Sequence, residues 1–468
     1  MTSLHDRPTG DPVHSASAGA ARPWLALAAV CLGGIIVALD GSAVTVAAPR
    51  IARSVHASLG DLELIANVYL VVLAVGILPA GRLADRVGRR ATFIAGALGF
   101  GACSLAISLS HSVGELVVFR AGQGLFGALL QPAALALLSV SFPRERIGAV
   151  LGIWGAANAL AIGVGPVIAG LIVQGLGWPA VFLVNLPVAA VAVVLILSAV
   201  SESRGGAGAR PLRAVLAERP VRCAAVLVAM SSLAVFGLLF LLTLFLQNVH
   251  GLAPSATGAW LLAPTLAVVV GALAGGALVE RIGPRAPVLG GMLAVAAGLV
   301  GLAQVPVDAA FWQVAAPAVV IGFGTGAWVI AATQTIVTGS AEDLVGTASA
   351  LQQGSSQMGG VLGIVIFGAV MSIRVGAALP PRLREAGVPR ALAGAVARGR
   401  GLVVEGRVPL PGGHGPALDH AVRTASHLAF TAGMDTAFLL CAALVLLASP
   451  LGFLLGPRSG GSRSHRAR

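Results

Sequence analysis

Apolar stretches long enough to cross a bilayer recur twelve times along the chain. They fall near residues 24–48, 62–81, 91–110, 115–140, 146–173 and 180–200, and again near 222–248, 255–279, 286–304, 311–338, 344–373 and 428–456. About 20 consecutive apolar residues cover the roughly 30 Å of hydrocarbon as a helix, and in that medium every backbone N–H and C=O has to be bonded within the segment. The expected fold is therefore an all-α polytopic membrane protein with twelve transmembrane helices. Composition points the same way, since only 10% of residues are charged, against about 25% in soluble domains. The 62 glycines and 26 prolines lie inside the apolar runs, which separates them from a low-complexity segment.

The net charge of +12 comes from arginine alone, with no lysine anywhere. A basic total raises nucleic-acid binding as a possibility. Here the arginines sit in short segments between apolar runs, with no basic stripe interleaved with aromatics, so no nucleic-acid partner is expected. An even number of spans puts both termini on one side. With the termini inside, inner segments hold 19 arginines and outer ones ten, eight of which fall in the single long stretch 374–427. Long loops translocate largely regardless of charge, so the positive-inside rule favours a multi-pass protein of the cell membrane with both termini cytoplasmic. Cys31, Cys103, Cys223 and Cys441 each lie within an apolar run and read as small apolar side chains. The stretch from Trp24 is too long, and interrupted by Asp40, for the core of a cleaved signal peptide.

Two halves emerge when the chain is laid over itself. Gly81–Arg90 (GRLADRVGRR) matches Gly276–Arg285 (GALVERIGPR), keeping glycine, leucine, acid, arginine, glycine and arginine in register after the second helix of each half. Parallel six-helix repeats are one plan for secondary transporters. The expected organisation is a disordered tail 1–23, a six-helix bundle 24–200, a cytoplasmic linker 201–221, a second six-helix bundle 222–456 with a long extracytoplasmic loop 374–427, and a basic tail 457–468. Val408–Gly413, within that loop, reads as irregular.

On these residues the chain resembles the major facilitator superfamily across its membrane portion, and the Gly81–Arg90 loop is similar to the cytoplasmic signature of that family. Arg120–Ala128 (RAGQGLFGA) resembles the fourth-helix motif of drug/proton antiporters, and Gly152, Gly165, Pro166 and Gly170 their fifth-helix motif, with Ala161 and Ala169 where glycine is preferred. Leu39–Pro49, Trp178–Pro187, Phe245–Pro264 and Gly346–Gly363 are similar to the fourteen-helix branch, although Thr45 stands where an asparagine is usual. Between Ser201 and Arg222 there is no room for that branch's central helix pair. The resemblance implies a major facilitator fold that exports drugs or secondary metabolites in exchange for protons.

Two charges remain inside the spans, Asp40 and Arg120, and each costs about 2.5–3.5 kcal/mol at a helix centre, which makes both functional candidates. A carboxylate loses affinity for its proton beside a guanidinium and gains it on desolvation, so a change of surroundings can load and release a proton. Asp40 is the expected proton carrier. The competing reading is that it only holds helices together. Arg120 cannot plausibly deprotonate and would tune Asp40 or take a substrate anion, unless it snorkels to the interface. Arg120, Gln123, Gly127 and Gln131 share one helical stripe expected to face a central cavity. Trp154 and Asn158 are a further pair expected to line it, as are Trp328 and Thr335. Conformational gating falls to Gly81, Asp85, Arg86, Gly88, Arg89 and Arg90, to their counterparts Glu280, Arg281 and Arg285, and to Gly165, Pro166 and Gly170, which otherwise serve packing alone. His427 and Asp435 lie too near a span end to be assigned coupling.

No phosphate-binding GxxxxGK[ST] loop exists in a chain without lysine, and the spans hold no acid-rich cluster or His/Glu ligand pattern for a metal or a membrane-bound group transferase. The expected protein is thus not an enzyme and uses no cofactor. It is energised by the proton gradient, and its partners are a small amphipathic or hydrophobic substrate, protons and membrane lipids, with a monomer as the simplest assembly. Proton-linked uptake of a metabolite uses the same fold and stays open as the alternative.

Overall fold

The computed structural model describes residues 22–204, 212–341, 344–409 and 415–455. Most of the expected terminal tails, residues 205–211 of the linker and residues 410–413 of the irregular stretch lie outside these residues, as do the side chains of Thr45 and Pro166. Among the described residues, twelve helices are long and apolar enough to cross a membrane. They are α1 (Pro23–Val55), α2 (Leu59–Val87), α3 (Arg89–Ser108), α4 (Val113–Ser141), α5 (Ile147–Leu176) and α6 (Trp178–Ala199). The second six are α7 (Arg219–Val249), α8 (Pro254–Ile282), α9 (Arg285–Leu302), α10 (Phe311–Thr338), α11 (Val345–Glu385) and α12 (Pro416–Leu455).

Local chemistry sets where the helices start and turn. Ser58 and Asp61 form a reciprocal capping box at the start of α2, with bonds of 2.8 and 3.2 Å, and Ser112 and Glu115 form another at α4. Each box satisfies N–H groups that a helix start leaves without partners. The two repeat loops turn on equivalent glycines, Gly88 at φ 130° and Gly283 at φ 77°, a region that L side chains avoid.

Each half has its own buried core, with Phe93, Phe100 and Leu135 in the first and Leu227, Trp328, Phe367 and Phe438 in the second. The outer faces stay apolar: Val75, Leu171 and Leu447 are 72, 66 and 77% exposed, which suits lipid and not water. The halves meet where small residues let backbones touch. A Cβ on Gly152 of α5 would come within 2.8 Å of the Ala272 carbonyl on α8, and one on Gly148 within 2.7 Å of the Gly276 carbonyl, the small-residue packing that brings helices together in a membrane. α2 and α11 make the second seam. The Arg22 N–H donates to the Ala199 carbonyl at the end of α6, and Gly452 abuts Leu289 at the start of α9. Both described ends therefore lie on the face that carries the two repeat loops, termed the latch face.

One expectation needs correcting. The stretch 374–427, read from sequence as a loop, is mostly helix: α11 continues to Glu385, short helices cover Arg390–Arg398 and Arg400–Val404, and α12 begins at Pro416. Met371, Val375, Leu379 and Leu383 recur every four residues and are at most 1% exposed, so one face of α11 packs inward well past the predicted end of the span. Pro380, Pro381 and the nearby arginines look like a helix stop, yet the apolar spacing runs through them.

Candidate functional site

Asp40 and Arg120 meet. The Arg120 guanidinium, on α4, donates to Asp40 Oδ2 on α1, and the two residues are 1 and 2% exposed. One helical turn along α4, Gln123 accepts from Arg120 at 2.8 Å through Oε1 and donates to Asp40 Oδ1 at 3.0 Å through Nε2. Asn185 of α6 donates to the same Oδ1 at 3.3 Å, and Ser104 of α3 accepts from both Gln123 (2.7 Å) and Asn185 (3.1 Å). The Arg120 Nε–H reaches the Ile65 carbonyl of α2 at 3.4 Å, and the guanidinium lies 4.2 Å from the centroid of the Tyr69 ring. Five helices of the first bundle thus contribute to one neutral, hydrogen-bonded knot. Complete pairing is what makes burying two charges tolerable, because a lone buried ion costs several kcal/mol. The alternative in which Arg120 snorkels to the interface does not fit a guanidinium that is buried and bonded on several sides.

Asn185, Ser104 and Tyr69 were not singled out in the sequence. Asn185 lies in the Trp178–Pro187 stretch, where helix α6 is interrupted at Val184 and restarts, and Tyr69 is the only tyrosine of the chain. Both carried a faint signal. Ser104 carried none, since a membrane serine usually bonds its own helix, as this one also does to Phe100.

Beside this knot lies a cavity of about 560 Å³ between the two halves. Gln131, Trp154 and Asn158 line it from the first half, and Thr333, Gln352 and Gln357 from the second. Five residues expected there sit elsewhere. Arg120 and Gln123 belong to the Asp40 knot, and Gly127 faces Leu73 and Phe100. Trp328 is fully buried against Gly291 of α9, and the Thr335 hydroxyl donates to the Ala331 carbonyl at 3.0 Å. At about 100° per residue, Trp328 and Thr335 stand roughly 140° and 200° around α10 from the cavity-lining Thr333. Spacing on one helix fixes neither its rotation nor its neighbours, which is why both were misplaced. A separate groove between α8, α9 and α10, lined by Leu266, Val270 and Phe323, is apolar and opens towards the lipid side.

The two repeat loops act across the seams. Asp85, 8% exposed at the end of α2, accepts from the backbone N–H groups of Gly346 (2.9 Å) and Thr347 (2.8 Å), from the Thr347 hydroxyl (3.0 Å) and from Arg89 (3.2 Å). An acid from one half thereby caps the N-terminus of α11 in the other, where the helix dipole favours negative charge. Glu280, its repeat counterpart on α8, accepts from the Ala149 N–H at 2.8 Å in the first turn of α5. The same loop therefore latches each half onto the other. Gly81 is essential to the first latch, because a Cβ there would collide with Ala350 and stand 2.6 Å from the Gly346 carbonyl. Arg86, Arg281 and Arg285 are exposed on the same face.

Arg90 points to a third partner. Its N–H and that of Ala91 donate to the Glu202 carboxylate at 3.0 and 2.9 Å, and the Arg90 guanidinium donates to the Leu197 carbonyl at 3.2 Å. The first residues of the linker thus cap α3. Gly88 sits between, at φ 130° with the Glu202 carboxyl where a Cβ would go. Gly88→Ala is expected to lower thermal stability by about 1–3 kcal/mol from backbone strain and crowding. Trimming Glu202 to alanine in the same chain should relieve the crowding but not the strain, and melting curves of the two variants check this.

On α5, Gly165 borders a small gap beside Asp40, together with Asn185. Gly170 has only an ordinary contact with Val46 at 3.9 Å. Close approach to the other half falls instead to Gly148, Gly152 and Gly163, the last against Thr265.

Two bundles that share a cavity and are clasped at one face make up a membrane carrier. The chain belongs to the Major Facilitator Superfamily, which it matches over residues 30–364. It is therefore a multi-pass membrane transporter and not an enzyme. Among relatives, it is 36% identical to the tetracenomycin C resistance and export protein of Streptomyces glaucescens, covering 96% of this chain and 94% of that one. That alignment spans 511 positions, more than the 468 residues present here, so the relative carries residues with no counterpart in this chain. The methyl viologen resistance protein SmvA of Salmonella typhimurium is 28% identical over 79% of this chain and 87% of its own. Among solved structures, the human organic anion transporter MFSD10 (TETRAN) shares the fold with a TM-score of 0.66 and 13% identity, covering 93% of this chain and 99% of that one.

Proposed function

We propose that this carrier exports small amphipathic or hydrophobic compounds, such as drugs or secondary metabolites, in exchange for protons. The observation that carries the reading is the buried Asp40–Arg120 pair, one wall away from the cavity. Tyr69 is that wall, since it lines the cavity and carries the Arg120 guanidinium against its ring. A proton arriving on Asp40 removes the charge that holds Arg120, so the knot loosens and Tyr69 loses its backing. Substrate and proton then compete through one side chain, which is the linkage an exchanger needs.

The arginine distribution supports a cytoplasmic latch face, and the latched conformation is then the one closed to the cell interior. Opening to that side requires Asp85 and Glu280 to release the helix ends they cap. One proton moving through about 100 mV supplies roughly 2.3 kcal/mol, enough for about a 50-fold gradient of a neutral compound. Relatives named for resistance and export support the outward direction. The cavity is complete within one chain, which supports a monomer as the transporting unit.

Reconstitution into liposomes with an imposed pH gradient tests the coupling. Wild type is expected to accumulate substrate against its gradient, and Asp40→Asn to lose accumulation while still exchanging substrate passively. A folded Asp40→Asn variant that accumulates as well as wild type would remove Asp40 from the mechanism.

A further inference from the structure

We infer that the cavity selects uncharged ring compounds bearing carbonyl and hydroxyl groups and discriminates against cations; this rests on the transport reading above and narrows its substrate class. Among the described residues, no charged side chain lines the cavity. Its polar wall is made of amides, Gln131 and Asn158 from one half and Gln352, Gln353 and Gln357 from the other, with the hydroxyls of Thr333 and Ser356. Amides and hydroxyls both donate and accept, and so match oxygen-rich neutral groups. They offer no counter-ion to a cation leaving water, so its desolvation in such a site is offset only in part.

The acid that could have supplied a counter-charge is already engaged. Asp40 does not line the cavity, and its oxygens accept from Arg120, Gln123 and Asn185. A cation reaching the Tyr69 wall would instead meet a ring already carrying Arg120. Aromatic faces attract cations, but this one is taken.

Three buried polar atoms in the wall have no hydrogen-bond partner: Tyr69 Oη, Trp154 Nε1 and Gln352 Oε1. Their residues are 2, 9 and 4% exposed. Two of these atoms are donors on aromatic rings, and the third is an acceptor. A buried polar atom without a protein partner is costly to leave unbonded, so a ligand that bonds all three gains those hydrogen bonds. The complementary molecule presents acceptors to the tyrosine and indole, as carbonyl or phenol oxygens do, and a hydroxyl to the glutamine. With Trp154 and Phe236 as apolar faces, the volume of about 560 Å³ suits a ligand of drug size.

The test uses the full chain in proteoliposomes under a pH gradient and two probes that differ only in charge: an uncharged dihydroxyanthraquinone and the same ring carrying a quaternary ammonium group. Wild type is expected to move the uncharged probe at least about tenfold better, and Tyr69→Phe, which keeps the ring under Arg120, to weaken its binding about fivefold, the loss of one hydrogen bond. Gln357→Glu is expected to raise transport of the quaternary probe. Equal handling of both probes by wild type, or preference for the cation, overturns the selectivity and leaves the exporter standing. An unchanged affinity in Tyr69→Phe overturns the role of its hydroxyl. Failure to move any probe of either class, including a wider panel of resistance compounds, overturns the transport reading and this inference with it.

Discussion

Arg120→Met is expected to destabilise the protein by about 3–5 kcal/mol, because it strands the Asp40 carboxylate in a buried site without its cation. The guanidinium supplies bonds to Asp40, Gln123 and the Ile65 carbonyl and rests on Tyr69, so its loss removes most of what holds the knot. The double variant Arg120→Met with Asp40→Asn should recover a large part of the loss, since it leaves a neutral amide facing Gln123 and Asn185. Replacing both members of a buried pair is generally far milder than removing one. Thermal unfolding in detergent of the single and double variants reads the difference. A double variant no more stable than the single one shows that the cost came from lost packing and not from a stranded charge.

The second large effect is expected at the latch. Asp85→Ala removes the acceptor for two backbone N–H groups and a hydroxyl at the start of α11. Hydrogen bonds to a charged group contribute about 1.5–3 kcal/mol each in favourable cases. They form across the seam, so their loss acts on the balance between access states more than on the fold. A shift of about 2–3 kcal/mol, roughly 30- to 150-fold in the equilibrium, is the expected outcome. Gly81→Val should act in the same direction by wedging the seam where α2 touches Gly346 and Ala350. Spin-label distances between α2 and α11 at the latch face report both: the short-distance population dominates in wild type and falls in each variant. Unchanged distances in Asp85→Ala mean that the glycine and apolar contacts alone keep the seam closed.

Much of this architecture was legible beforehand, and the limits have physical causes. Hydropathy and length located twelve spans, because lipid leaves a helix no partners outside itself. The internal repeat pointed to paired loops, and Asp85 and Glu280 prove to make equivalent contacts in opposite halves. The buried Asp40–Arg120 pair was suspected from cost alone, since two charges inside hydrocarbon are expensive. Their companions were not visible. Asn185 reaches Asp40 from α6 and Ser104 braces Gln123 and Asn185 from α3, and no pattern within either helix announces a partner on another. The cavity amides of α11 were missed for the same reason that Trp328 and Thr335 were misplaced, since the rotation of a helix is set by what packs around it. The extension of α11 was lost because consecutive prolines and arginines outweighed a buried stripe that only an i, i+4 count reveals.

At about 1.5 Å per residue, the 41 residues of α11 amount to roughly 60 Å of helix, about twice the hydrocarbon thickness. Among the described residues, only one of the two pseudo-equivalent bundles bears such a shoulder. The silhouette is therefore lopsided even inside a detergent belt, and that asymmetry gives single-particle images an orientation cue that a near-twofold body of this size otherwise withholds. A recognition fragment raised against the shoulder would hold on without touching the moving seam.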